Sequence, residues 1–592
     1  MILRALYELF ERLEDDPDYD VAPLGKSHQK VSFVVVIDKN GNLVEIADAR
    51  QVVDGRPRPR RVLVPGGAKP SGSGLNPCFL WDAPGYLLGW SPKDPERALR
   101  TYQSFRERHL RYESEIGAPE YSAVCRFLES WDPRAAAGLA ILEEVQTGYG
   151  VFQIRGDTQF VHQVPRIVEW WDQQLEAADP GPEGQCLVTG KTAPIARLHP
   201  KTKGVAGAQT SGATIAGFNA PAYWSYGLSQ SLNAPTSEDA AHRYATALNA
   251  LLDGKKREKH RLVVGATTIA FWTERPSPTE DIFLPFLSSG SASLDSTGAQ
   301  DDTVRAKLAA FIKALRCGRE AYGELEDEPE ATAYFILGLA APTPARIAVR
   351  FFHKGTLAEL LGNLRRHHAD IGIERQFGEG SKRPEPELPP ASLLLEQTCP
   401  RKNGKPDRER IPPLLPGTLL ESIVAGLRYP EGLFAAVMRR ITTDREVNYG
   451  RACVIKGYLV RNLGLEVPMS LDTSRPDPAY RLGRLFAALE KTQQDALGQV
   501  NATIRDRFYA SASATPATVF PRLLRTYQHH LAKLDGGHKV NREKLVQEIL
   551  APLGEIPAHL RLSEQGLFAL GYYHQMNAFF TRKTDQNADA QS

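Results

Sequence analysis

The sequence predicts an α+β protein: a mixed α/β N-terminal region with hairpins and inserted loops, followed by an all-α C-terminal helical bundle. Three observations carry this prediction. Short apolar runs broken by turn residues fill residues 1–345, whereas beyond Pro416 the apolar residues keep a helical period. The composition, 42% hydrophobic and 24% charged, is that of an ordinary globular chain long enough for several domains.

Ile2–Leu13 has the period of an amphipathic helix. Val31–Ile37 and Leu43–Ala47 flank Asp38-Lys39-Asn40-Gly41, a hairpin signal because Asn and Gly accept positive φ. Val62–Pro65, Phe79–Asp82 and Tyr86–Trp90 read as further strands, with the Gly/Ser/Pro loop Gly66–Gly74 between the first two. A helix is expected over Pro95–Ile116. Leu262–Trp272, Tyr334–Leu339 and Arg346–Phe352 read as buried strands.

Gly378–Pro416 is rich in Pro, Lys and Arg and lacks periodicity, so it reads as a linker or an ordered excursion. Leu482, Leu485, Phe486, Leu489, Ala496, Leu497, Val500, Ile504 and Phe508 then keep close to helical spacing, as do Phe520–Leu531 and Leu567–Phe580. Three or four such helices make a small bundle. Three regions are therefore expected: 1–345, mixed α/β; 346–468, basic, linker-like at 378–416 and then helical; and 469–592, the bundle.

The net charge of +2 conceals a gradient. Residues 1–345 carry 37 Lys+Arg against 44 Asp+Glu, residues 346–461 carry 20 against 13, and residues 469–592 carry 15 against 12. The net-acidic front argues against non-specific coating of DNA by that part, but allows local basic sites. Six scattered cysteines contain no CxxC pair, which argues against a metal knuckle or disulfide framework and for reduced thiols. The acidic amphipathic start is no signal peptide, and the most apolar stretch is too short to span a bilayer. A cytoplasmic protein with no membrane partner is expected.

The run His199–Gly227 stands out. Lys, Gly, Ser, Thr and Asn give way to Phe218, Tyr223, Trp224 and Tyr226. Glycine lets a backbone approach a partner closely and offer its N–H, lysine adds charge, and asparagine and aromatic rings suit base edges and stacking. The neighbouring Gly190-Lys191-Thr192 suggests a P-loop, but Gly184 stands five residues before Gly190 where four are needed, and Pro194 interrupts the required helix. A turn between two strands accounts for it better.

A second contact candidate is Arg56–Asn76, with Arg56, Arg58, Arg60, Arg61 and Lys69 and no acid. Its prolines keep an extended arm, and its Gly/Ser loop is thin enough to enter a groove. A third is basic: Arg346, Arg350 and Lys354 near a strand, Arg365 and Arg366 on the next helix, then Arg439, Arg440, Arg451 and Lys456. Each also reads as an ordinary solvated surface. The pairs His367-His368 and His529-His530 are poor chelates, because adjacent helical residues do not face one ligand. Asp301-Asp302 and Glu326-Asp327-Glu328 read as solvated faces or caps, and neither HExxH nor GxSxG occurs. No catalytic residue, metal site or cofactor is therefore expected.

Several blocks resemble the large subunit of the type I-C CRISPR surveillance complex, Cascade. They are Asn76–Asp82 with Tyr86–Gly89, Cys186–Gly190, Leu198–Pro200, Gly207–Gly212, Phe218–Ala220, Ser225–Gly227, Asn233–Pro235, Tyr244–Leu252, Leu337–Leu339, Arg346–Phe351, Gly426–Pro430 and Lys456–Leu459. They follow family order across nearly the whole chain. The resemblance implies a non-catalytic protein beside the backbone subunits and the subunit that holds the 5′ handle of the guide RNA. Such a subunit inspects duplex DNA for the protospacer-adjacent motif, helps open the target into an R-loop, guides the displaced strand and recruits a helicase-nuclease. The motif-reading candidates are then Lys69, Ser71, Gly72, Ser73, Asn76, Lys201, Lys203, Gly204, Gln209, Ser211 and Asn219, and the basic residues above become DNA-backbone candidates. The resemblance further implies small subunits made from the chain's own C-terminus, with Met469 as the candidate internal translation start. The competing readings are a metal-dependent nuclease acting alone and a free-standing nucleic-acid-binding scaffold.

Overall fold

The computed structural model describes the chain outside residues 17, 20, 54–55, 68, 70–73, 147, 178–181, 219, 290–331, 379–380, 499–501 and 581–592. It is an α+β protein that packs as two compact units, Met1–Thr202 with Ala216–Lys256, and Lys203–Ile215 with Arg257–Ser592. The units divide the chain by packing, at places other than the charge-based boundaries near 345 and 468.

The first unit is built on β1 (Lys26–Ile37), whose two halves pair antiparallel with different strands. Phe33–Ile37 pairs with β2 (Leu43–Asp48) across the expected Asp38–Gly41 turn. Asp38 holds that turn by accepting from the N–H groups of Asn40 and Asn42. Gln51–Val53 (β3) and Arg56–Arg58 (β4) form a small hairpin, and β5 (Arg60–Pro65) pairs with Lys26–Val31. Beyond β6 (Trp81–Asp82), β7 (Tyr149–Ile154) runs parallel to β1 and completes the sheet.

Helix α1 covers Ile2–Glu14 and packs on the later helix Glu238–Asp253. The strand expected at Tyr86–Trp90 is instead the helical turn α2 (Pro84–Leu87). Pro84 sits at its first position, where proline's fixed φ favours a helix and its missing N–H costs nothing. Helix α3 (Pro95–Ile116) has the expected limits: Asp94 caps its start by accepting from Arg97 N–H, and Gly117 at φ +58° ends it. With α4 (Pro119–Ser130) it buries Tyr102, Phe105, Tyr121 and Phe127 in one core with Phe33, Phe79 and Phe152. Val31, Val62, Val64, Trp81 and Val151 form a second cluster. The unit also holds α5 (Ile141–Glu144), α6 (Pro165–Ala177) and α7 (Glu238–Asp253).

In the second unit the expected strand Leu262–Trp272 is a hairpin, β10 (Arg261–Val264) and β11 (Thr267–Thr273), reversed at Gly265. The strands β12 (Ala333–Thr343) and β13 (Arg346–Thr356) extend it to an antiparallel sheet. This unit also contains α8 (Arg257–His260), α9 (Thr279–Ser289) and α10 (Leu357–Ile371). Gly378–Pro416, read as a linker or an ordered excursion, contributes side chains to the unit's main core among its described residues. Its α11 (Ala391–Glu396) buries Ala391, Leu394 and Leu395 in the unit's main core, because the apolar residues between its prolines need cover.

From Leu415 the secondary structure is helical: α12 (Leu415–Val424), α13 (Glu431–Asp444), α14 (Tyr449–Leu463), α15 (Pro478–Leu497), α16 (Ile504–Ala514), α17 (Pro516–Leu531), α18 (Gly536–Leu550) and α19 (Leu562–Phe580). The sequence period from Leu482 to Phe508 spans both α15 and α16. Helix α18 lies outside the three runs read as helices, because only Val546 and Ile549 are buried on it. Helices α15 and α19 touch backbone to backbone. An added Cβ at Gly483 would lie 2.0 Å from Phe568 O, and one at Gly571 would lie 2.1 Å from Tyr480 O.

Candidate nucleic-acid interface

Lys69 is the first motif-reading candidate, and the fold has already engaged it. Its ammonium pairs with the fully buried Asp82, donates to Asn76 O at 2.9 Å and lies 3.4 Å from the Tyr86 ring centroid. Asp82 also accepts from Cys78 N–H at 2.9 Å and Ala83 N–H at 2.7 Å. Burial pushes the Asp82 carboxyl up, while Lys69 and those N–H groups oppose the shift. Lys69 therefore latches its own backbone to Asn76 and Asp82 and does not project as a groove-entering tip. Asn76 remains exposed, with its N–H on the Tyr86 hydroxyl at 3.2 Å. Ser71, Gly72 and Ser73 lie outside the described residues, as does Asn219.

The run His199–Gly227 is divided between the two units. In the first, His199 is buried with Nδ1 2.6 Å from the Tyr244 hydroxyl, and Lys201 is exposed with its carbonyl accepting from Asn249. In the second, Lys203–Ile215 lies along the β12–β13 hairpin. Gln209 N–H donates to Pro344 O at 2.8 Å, and Thr214 bridges Arg346. Gly204, Gly207 and Gly212 have φ of +78°, +80° and +88°, so this path depends on glycine. Lys203, Gln209 and Ser211 are exposed, although the Gln209 amide is bonded to Gly212 O. The carbonyl of Gly204 accepts from Arg261 at 3.3 Å.

Glu183–Gln185 (β8) and Thr192–Pro194 (β9) are antiparallel, so Gly190-Lys191-Thr192 belongs to a hairpin turn, as the failed P-loop spacing implied. Cys186 opens that turn. Although burial raises its thiol, hydrogen bonds from Ser237 and Thr189 outweigh burial and lower it to about 7.

The DNA-backbone candidates separate by burial. Arg346, Arg350 and Lys354 are exposed on β13, with Arg350 the extra residue of a bulge between the Gly338 and Leu339 pairings. Arg365 and Arg366 are exposed on α10, Arg439 on α13, and Arg58, Arg60 and Arg61 beside or on β4 and β5. Of Arg56 only the strand backbone is described. Arg440, Arg451 and Lys456 leave the set of outward-facing cations. Arg440 and the buried Arg451 share Asp444, and the buried Lys456 donates to Gly372 O. All three lie on helices whose sequence shows charge but not the carboxylate or carbonyl that the fold brings beneath it.

A family model described as CRISPR-associated protein (Cas_Csd1) matches residues 6–580. The chain belongs to this family. No individual curated protein matches it.

This Csd1-family chain also holds cations that the motif reading passed over. Arg108 and Arg111, on α3, line one cleft with Gly66, Leu75 and Asn76, and Arg108 donates to Pro77 O. Their spacing along the helix is the signal that could have found them. His109 on the same helix is structural. Its Nε2 accepts from Leu80 N–H at 2.9 Å, and burial lowers it to about 3. His367 is likewise buried and His368 half-buried, and desolvation lowers both, His368 to about 4. No disulfide links the five described cysteines, and no group of three His, Cys, Asp or Glu suited to a metal occurs among the described residues. Cys317, Asp301-Asp302 and Glu326-Asp327-Glu328 lie outside them. No described helix is long and apolar enough to cross a membrane.

Proposed function

We propose that this protein is the non-catalytic large subunit of a type I-C Cascade complex in the cytoplasm. It reads the protospacer-adjacent motif in duplex DNA, helps open the target into an R-loop, guides the displaced strand and recruits the helicase-nuclease. Its partners are the guide RNA, the backbone and 5′-handle-binding subunits, and small subunits formed from residues 469–592 by translation restarting at Met469. The observation that carries this reading is the match to the CRISPR-associated Csd1 family over residues 6–580. The exposed Lys201, Ser211 and Asn76 beside glycine-rich backbone, and the exposed cations of β13 and α10, support it as surfaces for groove and phosphate contact.

The test is a gel-shift series on the reconstituted complex with duplexes that vary in the motif. Motif-dependent binding is expected, and Lys201→Ala or Asn219→Ala weakens it more than non-specific binding. Equal affinity for every duplex overturns the reading. DNA cleavage by the purified chain with magnesium or manganese would favour a nuclease acting alone, and guide-independent binding a free-standing scaffold.

A further inference from the structure

Ser225–Leu228 is a tight hairpin turn. Ser225 and Leu228 form an antiparallel bridge, and Leu228 N–H donates to Ser225 O at 2.9 Å. The central residues Tyr226 and Gly227 have φ of +53° and +74°, the sign pattern of a type I′ turn. Such a turn favours Asn-Gly, so a bulky aromatic in the first position works against local preference. Asn233 holds the turn: its Oδ1 accepts from Ser225 N–H at 2.8 Å, and its Nδ2 donates to Leu228 O and Gln230 O, each at 2.9 Å.

The strained turn presents Tyr226 to solvent completely, at 100% exposure, with Trp224 at 44% beside it. The Trp224 indole N–H donates to Phe218 O at 3.3 Å, which orients its ring. Tyr226 contributes nothing to the core, and with the exposed Tyr223, Trp224 and Leu228 it gathers apolar surface at one turn, where a lone exposed ring would carry no meaning.

The charge of the stretch that carries the turn indicates the partner. The chain has 70 acidic residues in 592, yet residues 184–237 contain none. Lys191, Arg197 and Lys201 are exposed in this stretch, and Ser231 ties the Arg197 carbonyl to the segment that follows the turn. An aromatic tip on an acid-free, cation-bearing stretch of chain suits a polyanion with flat rings.

We propose that Tyr226, with Trp224 beside it, is a stacking finger for an unpaired base of a DNA strand. This rests on the reading that the chain acts on DNA and adds where a single strand is gripped. Stacking uses a ring face that every base has, so the contact is insensitive to sequence.

The test is fluorescence anisotropy on the assembled complex, using a labelled mixed-sequence single strand and a fully paired duplex that carries the motif. Tyr226→Asn is the main variant, because asparagine suits this backbone and removes only the ring. Its single-strand affinity is expected to fall about 5- to 150-fold, the range for losing one stacked base. Tyr226→Phe keeps the ring and the affinity. The dependence of affinity on salt stays unchanged in Tyr226→Asn because the ring carries no charge to pair with a phosphate, and duplex affinity is unchanged. A Tyr226→Asn complex that binds single strands like the parent overturns the proposal. So does a variant that loses a protein subunit while keeping DNA affinity, which would assign the tip to a protein interface. Loss of the finger alone leaves motif-dependent duplex binding intact. Absence of motif dependence in the parent defeats the proposed function instead.

Discussion

Replacing Lys69 by methionine keeps most of the apolar stem of the side chain and removes the ammonium from Asp82. The carboxylate stays fully buried with the N–H groups of Cys78 and Ala83 as its remaining partners. Breaking a buried pair by removing one partner costs about 3–5 kcal/mol. A ceiling follows from chemistry: the carboxyl can take up a proton, which near pH 7 costs about 4 kcal/mol relative to an ordinary aspartate. Near pH 5 the same step costs only about 1.5 kcal/mol. Burial raises the native carboxyl above its unfolded value, so ionisation disfavours the fold, and the penalty of Lys69→Met grows as pH rises from the unfolded value toward the native one. Urea unfolding at both pH values, read by tryptophan fluorescence, should show a loss of no more than about 4 kcal/mol near pH 7 and no more than about 1.5 kcal/mol near pH 5. Lys69→Met with Asp82→Asn should recover most of the loss. A pH-independent loss, or a double variant as unstable as the single one, refutes the latch. A stable double variant that has lost motif-dependent DNA binding would instead show that Lys69 reaches the DNA.

Gly571→Ala should lower stability by about 3 kcal/mol, because the new methyl meets the Tyr480 carbonyl, a backbone atom that cannot turn away. Local helix propensity alone gives the opposite sign, a gain of about 1 kcal/mol, so the direction of the thermal shift decides between them. Burial lowers His109 to about 3, and His162, His368 and His574 to about 4. Their folded values lie below the unfolded one, so the stability they carry falls as pH drops below about 6.5 and each costs about 2 kcal/mol near pH 5. Denaturation midpoints from pH 7 to 5 check this, and His109→Gln should flatten the curve. In the assembled complex, Ala at Arg350, Lys354, Arg365 or Arg366 should reduce the slope of log affinity against log salt by about one for each phosphate the variant no longer neutralises. Arg451→Ala should leave that slope alone and lower thermal stability. Mass spectrometry of the complex from its own operon should find a fragment starting at Met469, and Met469→Leu should remove it unless a non-AUG start lies nearby.

What the sequence determined by itself was local. Asp94 and Gly117 delimit α3, Asp38–Gly41 reverses the first hairpin, and the spacing from Gly184 to Gly190 rejects a P-loop, because each of these depends on neighbours a few residues away. The period of the C-terminal helices was legible for the same reason, and the order of short blocks along the chain carried the family. Charge was legible as a count but not as a surface. Whether a cation faces water depends on partners distant in sequence: Asp82 for Lys69, and Gly372, 84 residues away, for Lys456. Even the Pro84 turn reads as a strand from its residues alone, because they carry no apolar period long enough to separate the two. Only the tertiary structure placed Lys203–Ile215 in one packed unit and Tyr226 in the other. Glycine-rich backbone has no apolar face of its own to dictate where it lies, so the strands and helices that meet it decide.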